Sequence, residues 1–292
     1  NDALVQLKNS RLTGLKEVDL HSSDTAAIWT LAGNVSVAAK GKAGLSGAVA
    51  YASSRSSQTQ ALVDSVVIAQ PDGSNNLTDF TTDAQADVHA SSSTNIDNLG
   101  IVAGVGAQGV GIGVGVAVNR VNTDTTAALS ASDKQRLVSS DTLTVLAESN
   151  NDIDTIGIGG AGGSKAGVTA STAINLVTNN TAARTNNLNA EYAGAALIQA
   201  RSDDTIGTYG GQLQGAQNVA VGATVTVSEK RGLTQAEILN SDIVRSAQET
   251  SLVLTTKAGV DKDAINSKIV EDVSVAASLR NSRQDKTVSG LM

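Results

Sequence analysis

The sequence predicts an all-β protein made of stacked repeats, and three observations predict it. The first is the stretch from Leu99 to Val121, where apolar residues occupy every second position. Ile101, Ala103, Val105 and Ala107 share one parity, whereas Val110, Ile112, Val114, Val116 and Val118 share the other, so two strands meet at a bend around Gln108-Gly109. The second is a self-similar pattern that recurs along the chain, the hallmark of a repeat architecture. The third is composition: 28 glycines and only 2% aromatic residues, Trp29, Phe80, Tyr51, Tyr192 and Tyr209, leave Val, Ile, Leu and Ala to build thin layers.

Within Leu99 to Val121 the alternate positions hold Gly104, Gly106, Gly111, Gly113, Gly115 and Ala117. Interior glycines each cost a helix roughly 1 kcal/mol against alanine, which excludes helix here. A glycine strand face admits another backbone at close range, so the stretch is expected to stack against copies of itself.

Two markers define the repeat. The end of the alternating strand and the polar residues after it recur as AVAYASSRSSQTQAL (48–62), GVAVNRVNTDTTAAL (115–129), TAINLVTNNTAAR (172–184), TVTVSEKRGLTQAEI (224–238) and VAASLRNSRQDKTV (275–288). This alignment registers Ala61, Ala127, Ala182, Ala236 and Val288 at intervals of 66, 55, 54 and 52, with Ala3 as the tail of an earlier copy. The second marker, a strand running into polar residues, places Leu20, Val88, Val145, Ile198 and Leu254 in correspondence. About five degenerate units of 52–66 residues follow: 1–17 (partial), 18–85, 86–142, 143–196, 197–251 and 252–292 (partial), one array that reads as an excerpt of a longer chain.

One unit reads as four strands: Leu143 to Ala147, Ile156 to Ile158 after a polar turn at 149–154, Val168 to Leu176 after a glycine-rich break, and a short strand near Ala182. The first unit carries an insertion, Gln70 to Ala84, with the single proline and single phenylalanine. Lys262 to Val273 has helical spacing, but its place in the unit predicts strand and turn.

Several motifs have plain structural readings. Gly104-x-Gly106-x-x-Gly109 matches a dinucleotide fingerprint, with Asp124 at 20 residues, but an alternating strand follows where a helix should open. Gly157-x-Gly159-x-x-Gly162 repeats it. His21 and His89 hold the same place in successive units, as a polar position at a strand end. Asn95/Asp97, Asp152/Asp154 and Asp203/Asp204 read as equivalent turns, in which Asn and Asp bond their own backbone; calcium is the alternative use of such oxygen-rich turns. Sequons at Asn34, Asn76 and Asn179, and the basic pair Lys40 and Lys42, are ordinary in so polar a chain.

A net charge of −7 lacks the basic footprint of a nucleic-acid binder, and no apolar run reaches the roughly 18–20 residues of a membrane helix. With no cysteine, disulfides and thiolate metal sites are excluded. No Ser–His–Asp set or carboxylate pair can be nominated, so no catalytic, cofactor or metal residue is assigned.

The unit resembles a known class. Leu143-Thr-Val145-Leu-Ala147, Ile156-Gly-Ile158-Gly-Gly160, Gly167 to Asn175 and Gly113 to Asn119 are similar to the repeats of giant filamentous adhesins of Gram-negative-type bacteria. These are the filamentous-haemagglutinin-like and leukotoxin-like passengers of type V secretion. The resemblance implies an elongated parallel β-helix or β-solenoid, exported unfolded through an outer-membrane pore to the bacterial cell surface. It implies a structural stalk that mediates or presents adhesion, with a host-cell or bacterial surface protein or glycan as partner. No nucleic acid, membrane insertion of this segment or cofactor is expected. Recognition is expected on the insertion loop, at Pro71, Asp72, Asn75, Asn76 and Phe80. The rival readings are a glycan-binding or glycan-cleaving β-helix and the stalk of a contact-dependent toxin delivery protein. Units of 52–66 residues exceed a usual coil, so each reads as two coils in preference to one coil with a protruding hairpin; parallel and locally antiparallel pairing both remain open at this stage.

Overall fold

The computed structural model describes residues 2–9, 11–13, 17–40, 43–64, 67–71, 77–79, 85–130, 136–138, 142–187, 189–192, 195–245, 253–257, 268–269 and 274–291. Two long parallel sheets face each other, and the chain alternates between them. Each coil contributes one long strand to each sheet. In the first coil these are Glu17–Ala38 (front) and Ala43–Asp64 (back), in the second Gln85–Gly106 and Val110–Ser130. The third has Thr142–Gly163 and Ala166–Asn186, and the fourth Ala195–Ala216 and Val219–Arg231, the latter resumed by Thr234–Leu239. Asp2–Lys8 begins the back sheet, and Ser274–Leu291 adds a fifth long strand to the front. Short parallel strands such as Arg136–Val138, Asn189–Tyr192 and Asp242–Arg245 lie on the return from back to front.

The glycine-rich strand settles the pairing. Val110–Ser130 lies in parallel register between Ala43–Asp64 and Ala166–Asn186, with Val116 opposite both Val49 and Thr172. The fold is therefore a parallel β-solenoid. One unit is one coil, not two. The expected four strands fuse into two of about 22 residues, because residues 149–154 continue the front strand instead of turning. The bend at 107–109 is where the chain crosses from front to back.

Register corrects parts of the alignment. Leu20, Val88, Val145 and Ile198 do stack, but the next residue in that row is Val275, not Leu254. In the back sheet Ala61, Ala127, Ala183 and Ala236 stack; Ala182 lies one residue off and faces the other way, and Val5, not Ala3, opposes Ala61. Val288 lies in the front sheet, opposite Gly211. Asn95 and Asp97 do pair with Asp152 and Asp154, but Asp203 and Asp204 pair with Asn150 and Asn151. Most of Lys262 to Val273 lies outside the described residues; Lys268–Ile269 is strand.

The interior is layered across the width of the strands. Val88, Val145 and Ile198 of the front meet Ala127, Leu129 and Ala183 of the back in one apolar cluster. Ile96, Ile153 and Ile206, stacked in register, form a second with Val121 and Val177. Between and beyond these lie Ser, Thr and Asn, and then glycine. At the glycine end the sheets converge until backbone meets backbone. A methyl on Gly157 would stand 2.7 Å from the carbonyl oxygen of Thr172, and one on Gly115 2.9 Å from that of Ile158. Glycine thus serves approach of the opposite sheet, whereas stacking between copies is ordinary parallel pairing at about 4.8 Å.

Asparagine marks the opposite corner. Asn9, Asn187 and Asn240 each follow the end of a back-sheet strand and each has positive φ, at 49°, 54° and 48°. Asparagine tolerates this left-handed conformation better than other residues with a Cβ. The Asn187 N–H donates to the carbonyl of Leu239 at 3.1 Å, linking successive corners.

Candidate functional site

The functional surface of a solenoid is its outer face, and here the sequence divides it sharply. On the front sheet, toward the wide end, the outward rows are polar but for one leucine: His21, His89, Leu146, Gln199; Ser23, Ser91, Glu148, Arg201; Thr25, Ser93, Asn150, Asp203. Part of this strip forms a shallow, open groove lined by Asp24, Ser91, Ser92, Glu148, Asn150 and Asp203. The outward rows of the narrow half are apolar, running Leu31, Leu99, Ile156, Tyr209 on the front and Val49, Val116, Thr172, Val225 on the back. Trp29 remains 68% exposed and Val35 69%, so apolar side chains flank the glycine seam on the solvent side.

His21 and His89 stand in the same row of adjacent coils, in mid-strand and not at a strand end. Their rings stack with centroids 4.6 Å apart and planes 9° from parallel. His89 lies 3.5 Å from Glu148, and the Ser91 hydroxyl lies 3.4 Å from His21 Nε2. Burial chiefly, and then the charge of His21, hold His89 below the ordinary histidine value, against the pull of Glu148 and Asp19.

Asp97, Asp152 and Asp154 form an acidic patch on the same face, where register sets side chains of one sign together. Burial first, then Asp152 and Asp97, push the Asp154 carboxyl above the usual aspartate value. Among the described residues no group of three or more His, Asp or Glu side chains converges as a metal site. The two glycine motifs lie in the seam and the adjoining turn, where strand follows strand. Thr224 and Thr226 sit on the inward-facing parity of their strand, and Thr224 bonds Ser171 at 2.9 Å. Asn179, a sequon by sequence, is 1% exposed inside the solenoid, which denies a glycan access.

The insertion loop is only partly described. Val67–Pro71 pairs antiparallel with Leu77–Asp79, with Pro71 opposite Leu77, and Val67–Pro71 joins Arg11–Thr13 in a short sheet. Asp72, Asn75, Asn76 and Phe80 lie outside the described residues. Lys40 is exposed in the turn at the narrow end; Lys42 lies outside the described residues.

The sequence reading missed the interior polar ladders. Asn98 donates to Asn119 at 2.7 Å and Asn119 to Thr155 at 2.6 Å. Thr155 bonds Asn175, Asn175 donates to Thr208 at 2.8 Å, and Thr208 bonds Ser228. This chain zigzags between front and back sheets through three coils. A second ladder joins Ser92 to Thr125 at 2.7 Å and to Ser149 at 3.1 Å, then runs through Asn151, Asn179 and Ser202 to a buried pair, Asp204 and Lys230. The available signal was parity: Ser149, Asn151 and Thr155 share it with Val145 and Ile153, which a turn would not preserve. Comparison with family models, curated proteins and solved structures returns no match for this chain.

Proposed function

We propose that this chain is a stalk or passenger segment of a bacterial cell-surface filamentous adhesin, which mediates or presents adhesion to host cells or other bacteria. The observation that carries the reading is continuity: four successive coils stack in parallel register, and the polar ladders run through three of them in succession. Such a stack extends by about 4.8 Å per coil and resists bending without disulfides, because strand pairing and interior hydrogen bonds both run along its axis. The chemistry of its outside, a polar and acidic strip beside an apolar one, suits contact spread over a long face more than turnover in a closed pocket. The resemblance of the repeats to adhesin passengers supplies the cellular setting. The extracellular bacterial surface is thus the proposed location, and a surface protein or glycan the proposed partner.

The reading is tested with antibody raised against this chain and applied to the bacteria that make it. Labelling of intact cells, together with reduced attachment when the antibody is present, is the expected result. Labelling that requires permeabilisation overturns the surface location; surface labelling with unchanged attachment overturns the adhesive role.

A further inference from the structure

A lysine inside a β-solenoid requires an explanation. Lys230 extends from the back strand of the fourth coil toward the interior, with its side chain 13% exposed, and reaches Oδ2 of Asp204, a fully buried carboxylate on the front strand of the same coil. The other carboxylate oxygen, Oδ1, accepts the side-chain amide N–H of Asn179 at 2.9 Å and of Asn151 at 2.5 Å. Ser202 donates to Oδ2 at 3.2 Å. A primary amine and a primary amide are thus held on the two oxygens of one buried carboxylate.

The two amides differ in a way that matters chemically. The carbonyl oxygen of Asn179 accepts hydrogen bonds from the hydroxyls of Thr123 at 3.1 Å and Thr181 at 3.4 Å, and its nitrogen also donates to Ser202 at 2.9 Å. The carbonyl oxygen of Asn151 is buried without a donor. Both nitrogens rest on the carboxylate that can deliver a proton, but only Asn179 has its carbonyl polarised as well. Strand pairing brings it near the amine: Lys230 pairs with Val177 in the adjacent back strand, two residues from Asn179 on the same face.

We propose that Lys230 and Asn179 condense to an isopeptide bond that covalently joins the back strands of the third and fourth coils, with Asp204 as the catalytic acid–base. A proton passes from Lys230 Nζ to Asp204 Oδ2, freeing the amine. Nζ attacks Cγ of Asn179, and the oxygen that gains the electron pair is held by the two threonine hydroxyls. Asp204 returns the proton to the amide nitrogen, the Cγ–Nδ2 bond breaks, and ammonia leaves. The second proton lost by Nζ remains on Asp204. Nothing is oxidised or reduced, and no co-reactant is needed. Burial favours the step, since it exchanges a desolvated ammonium and carboxylate for a neutral amide.

The test is the intact mass of the purified 292-residue chain, followed by tryptic mapping. A mass below the sequence value by about 17 Da, one ammonia, is expected. Tryptic fragments 166–184 and 202–231 should then appear joined, and Lys230→Met should restore the sequence mass. An unshifted mass overturns the proposal, since it leaves the pair ionic. Fragment 137–165 joined in place of 166–184 assigns the chemistry to Asn151 and overturns the choice of Asn179. A loss of about 18 Da, one water, with the link inside 202–231 means direct condensation with Asp204, and overturns it likewise.

Discussion

Asn175 illustrates how single residues hold the interior together. It accepts from Thr155, and donates to Thr208 and to the carbonyl of Gly207 at 3.0 Å, while wholly buried. Asn175→Ala removes all three of these buried hydrogen bonds, each worth roughly 0.5–1.5 kcal/mol net, so a loss of about 2–4 kcal/mol is expected in chemical denaturation. Asn180, farther along the same strand, is exposed; it donates to Asp124 at 2.7 Å and accepts the Leu233 N–H at 3.2 Å, and since water can replace both bonds, Asn180→Ala should cost less than about 1 kcal/mol. Equal losses from the two variants would remove the interior ladder from the account of stability. Titration gives a second check at this scale. His89 takes up a proton less readily folded than unfolded, where its ordinary value is 6.5, so stability falls as pH drops from 6.5 to the lowered folded value. Asp154 has the opposite sign: folded, it takes a proton more readily than at its ordinary 3.8, so stability rises as pH falls through its raised value toward 3.8. Thermal unfolding should therefore show His89→Gln less sensitive than wild type to acidification from about pH 7.5 to about pH 5. Asp154→Asn should be more stable than wild type at neutral pH, and lose that advantage below 3.8.

Between strands, glycine is chosen by what lies across the seam. Gly111 faces inward, where a methyl would lie 2.5 Å from the carbonyl oxygen of Gly104 and closer still to that of Gly162. Neither oxygen can yield without moving a strand, so Gly111→Ala is expected to cost more than the usual 1–3 kcal/mol of overpacking. Gly33 faces outward, with the nearest atom to such a methyl 3.8 Å away; Gly33→Ala should be neutral or stabilising by about 0.4–1 kcal/mol. Matching denaturation midpoints for the two variants would refute the close seam. This contrast was half legible in the sequence. Alternation and its reversal at Gln108-Gly109 placed two strands and a bend correctly, because a period of two survives any tertiary context. Which face of the glycine strand would be buried was not legible, since burial normally follows the larger apolar side chains. Here Val114 is 42% exposed while Gly113 is buried, because two backbones in contact leave the valines no room inside. Residues 149–154 misled for a related reason. Ser, Asn and Asp favour turns when judged alone, and only a neighbouring coil supplies Asp204 to Asn151 and Ser92 to Ser149.

At the scale of the molecule, the repeat makes whole coils interchangeable in a way that fractions of a coil are not. Ala147 pairs with Ala200, so removing 147–199 joins Leu146 to Ala200 inside the front strand and leaves the front-sheet register intact. The first ladder would re-form along with the strands, since Thr155 and Thr208 hold one row and Asn119 would bond Thr208 in place of Thr155; in the second, Thr94 and Thr123 hold the rows of Asn151 and Asn179 and would take their place beside Asp204. Nearest-neighbour energetics then predict a shorter solenoid with the same β-sheet circular dichroism and a modestly lower unfolding midpoint. Removing 147–200, one residue more, should behave quite differently. The core residues Leu143 and Val145 before the join and the strand after it could no longer face inward together: with Leu143 and Val145 in place, Ile206 and Thr208 turn outward and Asp203, Thr205 and Tyr209 turn into the interior. That variant is expected to lose cooperative unfolding, or to aggregate, as judged by circular dichroism and size-exclusion chromatography. If both deletions fold equally well, the interior carries no register information and the stacked-coil account of this chain fails. If only the first folds, the coil is the unit in which such a chain is lengthened or shortened, because it is the smallest piece whose removal leaves each buried polar row a partner.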